Sequence, residues 1–556
     1  MVIEDIAVPV ARLADAVGDL QGLFSRHGYA EAVIFGHAKD GNLHFVVTPS
    51  FNDQDSARRY QRLMDDVVSL VVDKYDGALK AEHGAGRNMA PFVEREWGSS
   101  AYGIMRELKH LLDPDGLLNP GVIINADPHA HLRDVKRLPR IESEVDRCIE
   151  CGYCEPVCPS RRLTTTPRQR IVVRREVARL TESGADPAML RALNASFAYD
   201  ALDTCATDGL CARACPVDID TGALVKRLRA QTHTAPALAR ADWVRTHFAV
   251  LERLLRIGLR LGHLATKIAG PGALVALTKV SEWLLRVRLP KWNRAMPYAS
   301  LGKLPITSPQ TPQAVYFPAC LSRVMGRPPL VPTEPALTET LLTISRRAGV
   351  ELWIPDDCAG HCCGMPFGSK GYTGAYHAML RRTIERMWHW SRAGALPIVI
   401  DASSCAYTLR SCAHDLDGLD LDRWRGLKIL DSVEFICDVL LPRLKPVPCA
   451  LAVVLHPNCA CRKLGGQEKL IAIARTCARE VVVPANLDCC GFAGDRGLLI
   501  PELAAAATEK EAAEVNARGY DGYYSSNLTC EMGVSLATGK PYRSIAYLVE
   551  EATRAT

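Results

Sequence analysis

This sequence has no stretch of about 18 uncharged apolar residues, which excludes an ordinary membrane-spanning helix. Its start, Met1-Val2-Ile3-Glu4-Asp5-Ile6, has no basic region leading into an apolar run. No secretory signal is read there, and without export disulfides are not expected. Charge of one sign is scarce. A net charge of +5 over 556 residues, with 6% aromatics, gives no concentrated basic face for nucleic acid. Low-complexity tracts are absent too. The remainder is ordinary globular composition, 48% hydrophobic and 23% charged, in a chain too long for one core. About three or four domains, in the cytoplasm, are expected.

Cysteine is what the sequence has in excess, with 21 residues. In a reducing compartment clustered Cys reads as metal ligation or catalysis. The run Cys148-Ile149-Glu150-Cys151-Gly152-Tyr153-Cys154-Glu155-Pro156-Val157-Cys158-Pro159 places three Cys at intervals of three and a fourth before Pro. That is the bacterial ferredoxin pattern, in which close-spaced thiolates wrap one iron–sulfur cubane and the Cys before Pro reaches a second. Structural zinc prefers two separated Cys pairs and fits less well. A second half follows as Cys205-Ala206-Thr207-Asp208-Gly209-Leu210-Cys211-Ala212-Arg213-Ala214-Cys215-Pro216, with Asp208 where a Cys should stand. Crossing over assigns Cys148, Cys151, Cys154 and Cys215 to cluster one. Cluster two receives Cys158, Cys205 and Cys211, with Asp208 as an oxygen ligand. Carboxylate is the harder donor, so cluster two is expected to be Asp-ligated or to lose one iron, 3Fe-4S in place of 4Fe-4S.

Residues 310–556 repeat themselves. Each half reads as a strand into a Cys, a helix, a strand ending at Cys-Cys-Gly, another helix, and a strand before a last Cys. The first half supplies Cys320, Cys362-Cys363-Gly364 and Cys405; the second supplies Cys459, Cys489-Cys490-Gly491 and Cys530. Strands alternating with helices predict parallel α/β units, whose ligands collect beyond the strands' carboxyl ends, where these Cys fall. Adjacent Cys on a regular strand face opposite ways, and the Gly permits the turn that brings both thiolates to one group. The pattern resembles the cysteine-rich domains of heterodisulfide-reductase-like and glycolate-oxidase iron–sulfur subunits. Each half here keeps a single closing Cys where that family has a pair. The resemblance implies a third redox centre, a further cluster at these Cys, or a site facing quinone or thiol. Cys358, Cys412, Cys437, Cys449, Cys461 and Cys477 are expected to be buried small residues.

Near the N-terminus, Val33-Ile34-Phe35 and His44-Phe45-Val46-Val47 flank Lys39-Asp40-Gly41-Asn42, a hairpin signal. A two-residue Asp40-Gly41 turn would pair His37 with His44 on one face, with β-carbons roughly 5 Å apart. Two imidazoles so placed, with Glu82-His83-Gly84 downstream, suit one divalent metal. Three segments carry a resemblance: Gly36-His37-Ala38-Lys39-Asp40-Gly41-Asn42-Leu43-His44, Ala81-Glu82-His83-Gly84-Ala85-Gly86-Arg87, and Asp115-Gly116-Leu117-Leu118-Asn119-Pro120-Gly121. They resemble the C-terminal part of FAD-linked 2-hydroxyacid oxidases, the D-lactate and D-2-hydroxyglutarate dehydrogenase group, over residues 1–125. The resemblance implies that His37, His44 and Glu82 hold a divalent ion such as Zn or Mn that orients the substrate. It implies that His83 takes the hydroxyl proton and that Asn119, Pro120 and Gly121 lie against FAD. The chemistry is sensible, because a divalent ion acidifies a bound hydroxyl and His is a base suited to neutral pH. Fusion to ferredoxin and Cys-Cys-Gly parts is similar to the long D-lactate dehydrogenases. Family members carry an FAD-binding domain ahead of this region, and no Gly-rich nucleotide-binding segment stands in for it here. A separate polypeptide supplying that domain, or a truncated product, is expected.

Along residues 248–267, Arg253, Arg256, Arg260, His263 and Lys267 fall at steps of three and four. They leave Leu251, Leu254, Leu255, Leu259, Leu261 and Leu264 on an apolar face. Such a helix lies either on an anionic surface at the inner face of a membrane or against the α/β region. The fold expected is multidomain α/β and α+β. It comprises an α+β oxidase cap and C-terminal part (1–125), a small helical two-cluster ferredoxin domain (126–232), a helical connector (233–304), and a duplicated α/β Cys-Cys-Gly domain (305–446 and 447–556). The function expected is FAD-dependent oxidation of a D-2-hydroxyacid, D-lactate first, with electrons passed through the clusters to a quinone or cytochrome. Two alternatives stand beside it: a non-catalytic iron–sulfur subunit wiring a separate flavoprotein to its acceptor, and a heterodisulfide-reductase-like thiol–disulfide enzyme.

Overall fold

The structure, a computed structural model, describes residues 2–136, 138–285, 288–300, 302–305, 307, 311–328 and 330–554. It divides into two compact units, Met1–Ile141 and Glu142–Thr556.

In the first unit β1 (Val2–Ala7), β2 (Val33–His37) and β3 (Asn42–Val47) form an antiparallel sheet in the order β1-β3-β2. Alternation along β3 decides what each face does. Leu43, Phe45 and Val47 are buried in one core with Leu20 and Leu23 of the helix Leu13–Arg26 and Leu63, Met64 and Val67 of the helix Gln54–Val68. Asn42 and His44 lie on the opposite face. Asp53 starts the second helix by accepting the Ser56 N–H at 2.8 Å. Ala7 and Ala78 exchange backbone hydrogen bonds, both 2.9 Å, and so bring the loop that follows Ala78 beside β1.

The hairpin does not turn on Asp40-Gly41 alone. A 3₁₀ turn over Ala38–Asp40 is closed by Gly41 at φ 68°, and the register is His37 to Asn42 and Phe35 to His44, not His37 to His44. Packing against the exit of β1 sets this turn. A Cβ at Gly41 would stand 2.1 Å from the Val8 carbonyl oxygen, so glycine is required there. The shift in register is even, and an even shift leaves both histidines on one face.

In the second unit the helix Pro167–Ser183 backs the first Cys run. Thr166 and Gln169 cap its start reciprocally, Pro167 sits in its first turn, and Gly184 at φ 64° ends it. Two four-stranded parallel sheets follow. β4 (Ala314–Phe317), β5 (Leu352–Trp353), β6 (Ile398–Ile400) and β7 (Ile429–Asp431) lie in the order β5-β4-β6-β7. β8 (Ala450–Leu455), β9 (Ala478–Val482), β10 (Gly522–Ser525) and β11 (Tyr542–Ser544) repeat that order as β9-β8-β10-β11. β4 and β6 are buried along their whole length, as strands covered on both faces must be. The Cys-Cys-Gly segments are not strand ends. β5 stops at Trp353 and β9 at Val482, and loops carry the chain on to Cys362 and Cys489. Pro355 and Pro484, which have no N–H to extend a ladder, follow each strand closely. Each half also carries a fourth strand, β7 or β11, beyond its last Cys, which the three-strand reading did not include.

The helix Phe248–Leu285 breaks at Gly270 (φ 77°, ψ 162°). Its seating divides the leucine face between the two alternatives: Leu251 and Leu259 pack inward on the α/β region, and the rest do not. Glu252 is buried against Arg323 (2.5 Å), Leu259 is buried, and His263 stacks on Tyr298 with ring centroids 4.1 Å apart. Leu254, Leu255, Leu261 and Leu264 are exposed. An ion pair and a ring stack anchor the polar side. Gly262 lets Trp292 close in, since a Cβ there would sit 2.3 Å from the indole.

Candidate functional site

His37 and His44 are diagonal neighbours on one face of β2 and β3, with ring centroids 5.4 Å apart. Both converge on Glu82: His37 Nε2 is 3.4 Å and His44 Nε2 2.9 Å from its Oε1. His83 brings its ring to 4.8 Å from that of His44. Its Nδ1 is 3.6 Å from Oδ1 of Asp5, the register partner of His44 on β1. Asp5 is fully buried and accepts the N–H groups of Ala81, Glu82 and His83 at 3.1, 2.6 and 3.1 Å. Burial pushes its pKa up, but the Glu82 and His83 N–H groups, with Lys80 and His83 nearby, outweigh that and hold it below the usual carboxylate range. Asp5 therefore stays ionised and clamps the loop that carries Glu82 and His83.

The side chain of His44 is 5% exposed, whereas those of His37 and Glu82 are 60% and 50% exposed, so the site is open on one side. The donors of His37, His44 and Glu82 lie within 4.8 Å of one another, as do those of Asp5, His44 and His83. Imidazole nitrogens with carboxylate oxygen suit an ion of the Zn or Mn kind, so the donor chemistry fits. The turn carrying Asn119, Pro120 and Gly121 is tied to the same loop by the Ile123 N–H, which donates to the Gly86 carbonyl at 3.0 Å. Asp113 builds that turn. The Lys109 ammonium and the Leu118 and Leu117 N–H groups hold its carboxyl down at about 2. Asn119 and Pro120 are exposed and Gly121 is half-buried.

Cys148, Cys151, Cys154 and Cys215 line one pocket of the second unit together with Arg168. Cys158, Cys205, Cys211 and Asp208 line another together with Arg170. Left-handed residues bend each run inward: Glu150 (φ 59°) and Gly152 (φ 86°) in the first, Thr207 (φ 49°) and Gly209 (φ 72°) in the second. Arg175 props the first by donating to the Cys148 carbonyl at 2.8 Å and to Glu150 at 2.5 Å. Buried Arg170 props the second by donating at 2.7 Å to Ser160 Oγ, which lies 3.1 Å from Cys158 Sγ. Burial pushes the Cys154 thiol up to about 11 and the Cys211 thiol well above its ordinary value. Metal binding displaces thiol protons, and the convergence of these sulfurs on two pockets fits iron–sulfur ligation. Burial raises Asp208 as well, against the Leu210 N–H that its Oδ1 accepts at 3.2 Å.

In the repeats, Cys320 and Cys362 have sulfurs 3.7 Å apart and Cys363 and Cys405 3.4 Å apart. Cys459 touches Cys489, and Cys490 touches Cys530. Among the described residues these sulfur contacts run within each half. The halves meet at Ser403 and Ser526 (Oγ to Oγ 2.9 Å) and where Ser404 Oγ donates to Asn527 Oδ1 at 2.8 Å. Gly364 (φ 84°) and Gly491 (φ 67°) make the sharp turns after the Cys pairs. Of the remaining cysteines, Cys358, Cys412, Cys461 and Cys477 are buried as expected. Cys437 is only half-buried, and Cys449 is exposed because it precedes β8 at the open end of the sheet.

The family model for the C-terminal domain of FAD-linked oxidases matches residues 1–123, and that for the 4Fe-4S dicluster domain matches residues 144–219. The cysteine-rich domain model matches twice, at 314–410 and 453–535. An FAD-oxidase C-terminal domain is joined here to a 4Fe-4S dicluster domain and two cysteine-rich domains. Similar known proteins include the D-2-hydroxyglutarate dehydrogenase of Pantoea ananatis, 30% identical over 284 residues, which are 42% of this chain and 28% of that protein. The Escherichia coli protein of the same name is 31% identical over 212 residues, 34% of this chain and 20% of its own. The mitochondrial D-lactate dehydrogenase (cytochrome) of Kluyveromyces lactis is 30% identical over 127 residues, 23% of this chain and 21% of its own. The chain thus spans 20–28% of the length of these relatives.

In the oxidase domain, sequence reasoning missed Asp5, whose only local signal is an acid inside an otherwise apolar strand. In the dicluster domain it missed Arg168, Arg170 and Arg175, whose signal is their crowding on the helix that follows the Cys run.

Proposed function

We propose that the chain is the substrate-binding and electron-relay part of an FAD-dependent D-2-hydroxyacid dehydrogenase. Its FAD is carried by an FAD-binding domain, which a flavin polypeptide supplies in the test below; its substrate is D-lactate or D-2-hydroxyglutarate, and its acceptor is a quinone or cytochrome at the inner face of a membrane. The observation that carries this reading is the convergence of His37, His44, Glu82 and His83 on one open face.

His37, His44 and Glu82 hold a divalent ion, which when bound acidifies the substrate hydroxyl. His83 takes that proton as hydride leaves the α-carbon, so the hydroxyacid becomes a ketoacid and yields two electrons. Asp5 Oδ1 lies 3.6 Å from His83 Nδ1, so a buried carboxylate stands beside the ring that takes the proton. FAD would supply the hydride acceptor, and Asn119, Pro120 and Gly121 are the residues of this chain that would lie on its side. Beside them Ile104, Leu108, Leu111, Leu117 and Leu118 are exposed, an apolar surface for the flavin-bearing polypeptide. Cys148, Cys151, Cys154 and Cys215 hold one 4Fe-4S cluster, and Cys158, Cys205 and Cys211 with Asp208 hold the second. Clusters carry the electrons singly. Lys463, on the short helix that begins at Cys459, donates to the Asp208 carbonyl at 2.6 Å, which supports a path from the second pocket into the cysteine-rich domains.

The test is iron, sulfide and activity analysis of anaerobically purified chain. Iron and sulfide are expected on the chain alone, with dye reduction by either hydroxyacid appearing only on addition of the flavin polypeptide. A chain without iron sinks the relay, and no flavin-dependent turnover of either acid sinks the substrate reading. Oxidised protein is expected to give a three-iron EPR signal that Asp208→Ala alters; an unchanged spectrum removes Asp208 from the ligands.

A further inference from the structure

Between Glu252 and Glu282 the chain has no acidic residue, while Arg253, Arg256, Arg260, Lys267 and Lys279 supply positive charge. Both bounding acids are engaged, Glu252 with Arg323 at 2.5 Å and Glu282 with Lys291 at 3.3 Å. The seating of the helix Phe248–Leu285 then sorts its side chains. Glu252, Leu259 and His263 face the protein. On the opposite side Leu254, Ile257, Leu261, Leu264 and Ile268 recur at steps of three and four and are 50–78% exposed. Arg253, Arg260 and Lys267 recur every seven residues, are exposed, and edge that apolar row along one side. Beyond the break at Gly270, Leu277, Val280 and Leu284 extend the apolar surface, and exposed Trp283 stands near its end.

Exposed apolar residues scattered singly are ordinary, but a continuous row of this length marks a contact surface. Charge identifies the kind of contact. The other long exposed apolar face, on the helix Val93–Leu112, mixes Glu94, Glu96 and Glu107 with its Arg and Lys, as a protein partner tolerates. The segment between Glu252 and Glu282 has one sign only. An apolar row edged by Arg and Lys, without acids and with a terminal Trp, suits a helix lying in the headgroup zone of an anionic bilayer. Among the described residues no helix is long and apolar enough to cross a membrane, so this contact lies along the surface.

We propose that the outward face of the helix Phe248–Leu285 docks on an anionic lipid bilayer. The inference rests on the membrane-side acceptor reading only in deepening it, and it is tested separately. The full chain is floated with vesicles of phosphatidylcholine alone or mixed with phosphatidylglycerol. Flotation is expected with the anionic vesicles at low salt, to weaken at high salt, and to be at least about tenfold weaker with neutral ones. Leu261→Asp combined with Ile268→Asp is expected to abolish it, with iron, sulfide and visible spectrum unchanged because both side chains are exposed. Arg253→Ala and Lys267→Ala should each weaken it by about fivefold. Equal flotation with neutral vesicles, or none with either, overturns the proposal. So does a dimer that the double Asp variant converts to monomer, which would give the face to a second copy. Vesicle binding is read apart from dye reduction, so either can fail while the other stands.

Discussion

The nitrogen and oxygen donors of the first unit and the sulfur donors of the second are held in opposite ways. His37 and Glu82 stand half exposed on a hairpin end and an irregular loop, and a buried carboxylate, Asp5, steadies them through three backbone N–H groups. Cys158, Cys211, Cys363 and Cys490 are buried, although Cys148, Cys154 and Cys215 are half-buried and Cys151 is exposed, and arginines stand behind the thiol loops: Arg170 and Arg175 in the dicluster domain, Arg323 in the first cysteine-rich domain. A site that exchanges its ligand each turnover must stay open, so its rigidity comes from the layer beneath. A site proposed to keep an anionic cluster can be closed on its protein side, where buried guanidinium groups offset charge that water does not reach.

The sharpest way to break that comparison is His83→Ala. Turnover with the flavin polypeptide present is expected to fall about 10²–10⁴-fold while iron and sulfide stay constant. A parallel loss of iron would show that the two regions are not separable. On the sulfur side, Glu252→Ala leaves Arg323 a buried cation without its carboxylate, beside the loop of Cys320. A loss of about 3–5 kcal/mol in urea denaturation is expected, with the histidine resonances of the hairpin unmoved. Equal stability of variant and parent would mean that charge does not hold the thiol loop.

Asp5→Asn sharpens the contrast, because it keeps shape and removes charge. Metal affinity at the hairpin, followed by titration, is expected to drop about 10–100-fold. An unchanged titration would leave Asp5 a loop clamp alone. The smallest effect is at Asp113. Its carboxyl is held down at about 2 from an ordinary 3.8, so its contribution is full above the ordinary value and lost as pH falls toward about 2. Amide exchange at Leu117 and Leu118, corrected for intrinsic rates, should quicken across that window; a flat profile would remove Asp113 from the turn.

The thiol groupings were legible because ferredoxin-type loops bring ligands together at fixed short spacings, and Cys148, Cys151, Cys154 with Cys215 do line one pocket. The pairing of His37 with Glu82 was legible only as a resemblance between segments. The hairpin register was misread, yet the shared face survived because the error was even. Strand ends in the repeats were misread because Cys362 and Cys489 lie in loops, where periodicity carries no signal.

What the sequence by itself determined was the chemistry of the donors and which of them share a local loop. Backbone geometry sets short spacings, and alternation sets strand faces, without reference to the rest of the chain. The tertiary structure alone decided that Asp5 lies beneath His83, that Arg323 meets Glu252 across 71 residues, and that the helix Phe248–Leu285 turns its apolar row outward. Those outcomes depend on which distant groups share one desolvated space, and burial of a charge is tolerated only where its partner also arrives.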